Sequence, residues 1–287
     1  MKKYSVTVDG VESEMKIRDY LKRRLGFSTS LIAKVKCGNV ILSGVPVHMR
    51  AMVKNGDVID VFFPDEESEC VEPIDIPLEV LYEDEAILLV NKPINMPIHP
   101  SRGNHLPTLA NAVRAYLGAP FVFRCITRLD RDTSGIVLIA KDQLSAAMLS
   151  RELKAGGFTK KYVAEVVGVP EPHEGVINAP IERESEGEMK RVVREDGKPS
   201  ITSYKVVSER GDESSTVEVI PITGRTHQIR VHMAYIGHPL VGDFLYGERT
   251  EGETYRLECR QLSFHHPISG KLMTVTLKTT KESQNDL

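Results

Sequence analysis

The sequence predicts an α+β protein in two parts: a small α/β module over residues 1–63 and a larger, strand-rich domain over residues 78–287, joined by a linker at 64–77. Three observations lead there. Ile136-Val137-Leu138-Ile139-Ala140, bounded by Gly135 and Lys141, is a short apolar run of the kind that forms a strand buried on both faces. Strand-like stretches of this sort outnumber the helical repeats from residue 78 onward. Between Asp65 and Pro77 the chain is acidic, broken by Pro73 and Pro77, and too polar to hold a core, so it reads as an exposed linker.

The 287 residues suit one large domain and one small one, and 41% apolar with 27% charged residues is ordinary for a soluble globular protein. Met1 to Asp9 lacks a continuous apolar stretch, so no signal peptide is expected, and no run approaches membrane-spanning length. The expected location is cytoplasmic. Cys37, Cys70, Cys125 and Cys259 are far apart and read as reduced thiols, not as a zinc knuckle or a disulfide framework. A net charge of −3 conceals an uneven distribution: residues 1–60 hold eleven Lys/Arg against six acids, while Pro64 to Glu85 holds ten acids and no Lys or Arg. A basic binding module followed by an acidic tether has that pattern.

In the first module Ile17, Leu21 and Leu25 recur at helical spacing before a stop at Gly26. Ser28 or Ser30 caps a second helix through Leu31, Ile32 and Val35, ending at Gly38. Short strands follow at Val40–Leu42, Val45–Val47 and Val58–Val61. Arg23, Arg24, Lys34 and Lys36 lie off the apolar stripes, which suits contacts to nucleic-acid phosphates.

The larger domain opens with strands at Leu78–Tyr82 and Ala86–Val90, then a loop carrying His99 that Pro93, Pro97 and Pro100 stiffen. Thr108 caps a helix that stops at Gly118, and Asp142 caps another that stops at Gly156-Gly157. Lys160–Val167 reads as a strand whose period of two puts Tyr162, Ala164 and Val166 on the inner face. Glu182–Pro199 is expected to be a hairpin or mobile insertion; strands follow at Thr202–Val207, Thr216–Ile222, Arg256–Phe264 and Lys271–Leu277. A helix is expected from Thr226 to Gly237, with His227 and Arg230 on one face of its first turn. Arg225 stands just before it, making an anion-friendly corner.

The chemistry points to Arg128-Leu129-Asp130-Arg131-Asp132-Thr133-Ser134-Gly135, directly in front of the core strand. Charges on the lip of a buried strand are costly unless they pair. A carboxylate held beside guanidinium groups stays ionised, as a nucleophile or general base requires. By itself the segment also suits a solvated turn laced with surface ion pairs.

Four blocks carry a wider resemblance: Tyr82-Glu83-Asp84-Glu85-Ala86-Ile87 leading to Asn91-Lys92-Pro93 and His99-Pro100-Ser101; Arg128 to Gly135; Lys160-Lys161-Tyr162; and Gly224 to His232 with His238-Pro239 and Gly242-Asp243. Together with His265-His266-Pro267 they resemble the RluA-type pseudouridine synthases, and the match runs over nearly the whole chain. The first module resembles the alpha-L RNA-binding motif through its two helices, Gly38-Asn39-Val40 with Gly44, and Lys54 to Ile59. Two departures are visible: Thr127 where many members have His, and Asn95 where Gly is usual. They are expected to bear on substrate preference or loop shape.

The resemblance implies a mixed, largely antiparallel catalytic sheet and isomerisation of uridine to pseudouridine in structured RNA, ribosomal or transfer, with no metal or cofactor. It makes Asp130 the catalytic aspartate, Arg230 its ion-pair partner and Tyr162 the aromatic residue under the target base. Arg128 and Arg131 are candidates for holding the flanking RNA backbone. RNA is the expected partner, no membrane is, and a monomer is the default. Two other readings compete. Asp130 and Asp132 could bind a metal in a sugar-transferring enzyme, or the chain could bind RNA without catalysis. A zinc site at His227, His232 and His238 is disfavoured because the spacings fall on different helix faces and no fourth ligand is apparent.

Overall fold

The computed structural model describes residues 2–35, 39–63, 71–100, 107–118, 121–211, 213–247 and 254–278. The element order is β1 (Lys2–Thr7), β2 (Met15–Lys16), α1 (Ile17–Arg23), α2 (Thr29–Lys34), β3 (Val40–Leu42), β4 (Val45–Pro46), β5 (Met52–Val53) and β6 (Val58–Phe63). From residue 79 it continues as β7 (Glu79–Glu83), β8 (Ile87–Lys92), α3 (Leu109–Leu117), β9 (Arg124–Cys125), β10 (Ser134–Ala140), α4 (Gln143–Lys154) and β11 (Thr159–Val167). Last come β12 (Glu174–Asn178), β13 (Ile181–Arg183), β14 (Arg191–Val193), β15 (Ile201–Glu209), β16 (Ser214–Pro221), α5 (Gln228–Tyr235), β17 (Leu257–His265) and β18 (Leu272–Thr276).

The first eight elements make a four-stranded sheet, β1-β6-β3-β4, with α1 and α2 closing its core through Ile17, Tyr20, Leu21, Phe27 and Leu31. Ser28 is the residue that caps α2, its hydroxyl accepting from the Leu31 amide. β1, which pairs with β6 along its whole length, has no counterpart in the expectation from sequence. Lys36, Gly38, Cys37 and Cys70 lie outside the described residues, as does residues 64–70 of the expected linker. Residues 71–77 carry no helix or strand, but they are docked and not an exposed linker as expected: the Ile74 amide donates to the Asn111 carbonyl, Asn111 Nδ2 to the Glu72 carbonyl, and Ile76 packs against the large core.

The remaining strands form a ten-stranded mixed sheet in the order β12-β15-β16-β11-β17-β10-β8-β7, with β18 on β17 and β9 on β10. All its pairings are antiparallel except β10 with β17. The apolar run of β10 is fully buried, as a strand in the middle of such a sheet must be. Burial alternates along β11, with Tyr162, Ala164 and Val166 inward, as their spacing predicts. The insertion after residue 181 is a hairpin of β13 and β14. Thr108 and Asp142 cap α3 and α4 as expected, Thr108 in a reciprocal capping box with Asn111.

Two cores result, and α4 belongs to both. Leu149 packs into the large core, while Leu144, with Ala147 and Met148, packs into the core of the first module. The Arg151 guanidinium donates to the Arg24 carbonyl at 2.5 Å.

Candidate active site

The site lies where the β9–β10 connection, the inner face of β11, the start of α5 and the loop after α5 meet. Gly135 permits the approach. Its φ is +111°, and a Cβ there would fall 2.4 Å from the Cys259 carbonyl oxygen of the parallel neighbour β17. Only glycine lets the chain turn into β10 this close to β17.

Asp130 occupies that turn with its side chain 32% exposed, so the carboxylate is accessible. Its Oδ2 lies 3.7 Å from Arg230 Nη1 and 3.9 Å from His227 Nε2. Arg230, in the first turn of α5, is tied more tightly elsewhere. It donates Nε to Asp243 Oδ2 and Nη2 to Asp243 Oδ1, both at 2.7 Å. Its guanidinium carbon sits 4.3 Å from the Tyr255 ring centre and 4.9 Å from that of Tyr246. Burial opposes the charge on Arg230, but Asp243 with Tyr255 and Asp130 outweighs it and holds the guanidinium above its ordinary range. The expected partnership with Asp130 is therefore a looser contact made by an arginine already oriented by Asp243.

Tyr162 is 6% exposed and directly opposite Cys259, beside a register shift in the β11–β17 ladder between Lys161 and Tyr162. Burial pushes its phenol well above the ordinary value; Cys259 and the Asp130 carboxylate add to the effect. It stays neutral, and a neutral ring beside a reachable carboxylate can offer an aromatic face to a base.

His227 caps α5 in a left-handed conformation, φ +58°, so the helix begins two residues later than expected, at Gln228. Its Nδ1 is 2.7 Å from the Tyr246 hydroxyl. Burial, partly offset by Asp130 and reinforced by Arg230, lowers its pKa and keeps it neutral. The three histidines considered for zinc go separate ways. His232 is buried between Thr202 Oγ1 and the Ala179 carbonyl, His238 meets the Val167 carbonyl, and His227 faces Tyr246. Asp132 likewise turns to Arg131, which donates to it twice at 2.9 and 2.8 Å, so Asp130 and Asp132 do not make a shared acidic pair.

Lys92 supports the floor of the site and was not singled out by sequence. It is 0% exposed, and its ammonium donates to the carbonyls of Pro93, Met96 and Arg131 at 2.8, 2.9 and 2.9 Å. This clamps the proline-rich loop to the turn that carries Asp130. Burial lowers its pKa to about 8, against the pull of Asp132 and Asp130. The sequence signal was a lysine ending an otherwise apolar strand. Tyr246 and Tyr255 were also missed, since nothing in their local pattern marks them as walls for Arg230.

The other candidates scatter. Arg128, Arg131 and Arg225 are on the surface, Arg225 Nε donating to the Pro199 carbonyl at 3.3 Å. Arg23 is exposed, and Arg24 folds back onto the Gly10 carbonyl. Lys34 ends α2. The two departures from the family pattern have local reasons. Asn95 holds φ +58°, a conformation asparagine tolerates better than most residues. Thr127 is buried and accepts from the Leu138 amide at 2.9 Å, so it shapes the turn rather than the substrate surface.

Comparison with solved structures gives the class. The human protein titled RNA pseudouridylate synthase domain containing 1 matches with a TM-score of 0.61 and 30% identity, over 73% of this chain and 86% of that one. A second human structure, RNA pseudouridylate synthase domain containing 4, shares the fold with a TM-score of 0.57 at 24% identity over 71% of this chain and 89% of that one. The mixed sheet with its loops is that of a uridine-isomerising RNA enzyme.

The chain belongs to the RNA pseudouridylate synthase family, whose model matches residues 86–235. Among curated relatives, the uncharacterized RNA pseudouridine synthase YjbO of Bacillus subtilis is 38% identical over 90% of this chain and 93% of its own length. The ribosomal large subunit pseudouridine synthase D of Xanthomonas campestris is 34% identical over 90% of this chain and 83% of its own.

Proposed function

We propose that the chain isomerises uridines in ribosomal RNA with Asp130 as the catalytic carboxylate, Tyr162 beneath the target base and Arg230 beside Asp130. The observation that carries this reading is the 3.7 Å approach of Arg230 to an Asp130 carboxylate still open to solvent. Relatives named for the large ribosomal subunit support ribosomal RNA as the substrate class.

The reaction breaks the N1–C1′ bond of uridine, joins C1′ to C5, releases the C5 proton and returns a proton to N1. It is redox-neutral. Asp130 attacks C1′ or assists departure of the uracil, and Arg230 stabilises the carboxylate as it re-forms. The detached base turns over while Tyr162 limits its travel and keeps water out. A uridine in folded RNA reaches the site only by flipping out of its stack, and Arg128, Arg131 and Arg225 at the rim suit contacts to the flanking phosphates. The first module, residues 1–63, acts as an alpha-L-type RNA-binding domain through Arg23, Lys34 and Lys36, with Arg24 bracing its fold. The enzyme works as a monomer in the cytoplasm. No described helix is long and apolar enough to cross a membrane.

Ribosomal RNA tritiated at uracil C5 tests the proposal. Tritium release by the native chain and none by Asp130→Ala is the expected result; full release by Asp130→Ala would refute the assignment.

A further inference from the structure

A second basic cleft lies away from the site, between the first module and α4. It has a volume of about 610 Å³, and its walls include Lys22 of α1, Arg124 of β9, and Arg151 and Lys154 of α4. Its remaining lining side chains are neutral; no carboxylate lines it among the described residues. Arg151 is built into place. Its stem crosses Gly26, where a Cβ would meet Arg151 Cδ at 2.4 Å and where φ is +74°, and its guanidinium holds the Arg24 carbonyl. The cleft exists only because the two modules dock, for Leu144 of α4 is part of the first module's core.

Lys22, Arg151 and Lys154, three like charges around one solvent-filled groove, favour an anion between them. A groove of this size with polar neutral walls at Ser28, Gln143 and Ser150 admits a chain of phosphates. The cleft is also remote from Asp130. Arg124 pairs with Ala140 at the end of β10 opposite Ser134, and the six steps of strand between Ser134 and Ala140 span about 20 Å at ~3.3 Å each. An RNA that fills both places must extend several nucleotides beyond its target uridine.

We infer that the cleft between α1 and α4 is a second RNA-backbone site, which grips the phosphates of a distant segment of the substrate while its target uridine occupies the Asp130 site. This rests on the RNA-modifying activity of the family and extends it to a surface formed jointly by both modules. Such a site reads no sequence; it selects large folded RNAs over short ones.

The test compares a full-length large-subunit ribosomal RNA transcript with a short hairpin carrying the same target uridine, both tritiated at uracil C5. In the Lys22→Glu/Lys154→Glu chain, KM for the long transcript is expected to rise about tenfold with kcat unchanged, and the salt dependence of binding to flatten by about two phosphate contacts. The hairpin should be converted as by the native chain. Because acid at helix ends perturbs the helices, Lys22→Gln/Lys154→Gln is measured as well, with a smaller rise in KM and native thermal unfolding. Native KM and native salt dependence on the long transcript in both variants would overturn the inference, as would an equal loss on both RNAs. Absence of tritium release by the native chain on every RNA would instead overturn the activity itself.

Discussion

Arg230 and Asp243 hold each other through two parallel hydrogen bonds of 2.7 Å, with both side chains sealed from solvent. Asp243 also accepts from the amides of Leu245 and Tyr246, so the loop after α5 is wound around this one carboxylate. The pair fixes the third face of the guanidinium, the Nη1 edge, toward Asp130.

Replacing Asp243 by Asn should therefore damage both fold and site. Removing one member of a buried ion pair costs about 3–5 kcal/mol. Urea unfolding is expected to show a loss of that order, and kcat to fall with it because Arg230 is no longer aimed. Native stability in Asp243→Asn would mean that the pair is not the anchor described.

Lys92 makes a prediction about pH. In the unfolded chain it keeps its proton to about 10.4, whereas in the fold it gives the proton up at about 8. Between those values the unfolded state binds more protons, so its burial penalises stability below pH 8 and the penalty is relieved as pH rises. Activity should move the other way. A neutral amine has too few protons for three carbonyls, and the loop under Asp130 loosens. Stability and kcat measured from pH 7 to 10 are expected to diverge near pH 8, and the relief of stability to vanish in Lys92→Met.

Tyr162 separates ring from hydroxyl. Its phenol is buried and held neutral, so a role as platform needs the ring alone. Tyr162→Phe should retain most of kcat, and Tyr162→Leu should lose at least about tenfold, within the 1–3 kcal/mol that base–aromatic stacking is worth. Equal losses in both variants would assign the work to the hydroxyl.

Gly135 tests the geometry of the turn. Alanine there meets the Cys259 backbone and a φ of +111° together. Gly135→Ala should destabilise the chain by roughly 3 kcal/mol. Alanine at Gly44, which has φ +88° but no atom within 4 Å, should cost less in the same urea titration.

The local parts of this architecture were legible in the sequence because they are decided locally. The apolar run of β10, the Thr108 and Asp142 caps and the alternation that turns Tyr162 inward all follow from neighbours a few residues away. Parts decided across the fold were not. Asp243 appeared only as part of Gly242-Asp243, with no role, because its partnership with Arg230 depends on how the chain returns after α5. Lys92 appeared only within Asn91-Lys92-Pro93, because the acceptor that ties it to the site, the Arg131 carbonyl, lies 39 residues further along the chain. β1 alternates Tyr4 and Val6 with polar residues and needs β6 beside it to be recognisable as a strand.

The sharing of α4 between two cores has a consequence for the molecule's architecture. The face of α4 bearing Leu144, Ala147 and Met148 has no water-compatible alternative to the first module. Cutting that module away would bare a greasy stripe on the helix that follows the strand behind Asp130. The N-terminal part thus shields α4 from water as well as adding a second core, and the larger domain alone would tend to cling to itself.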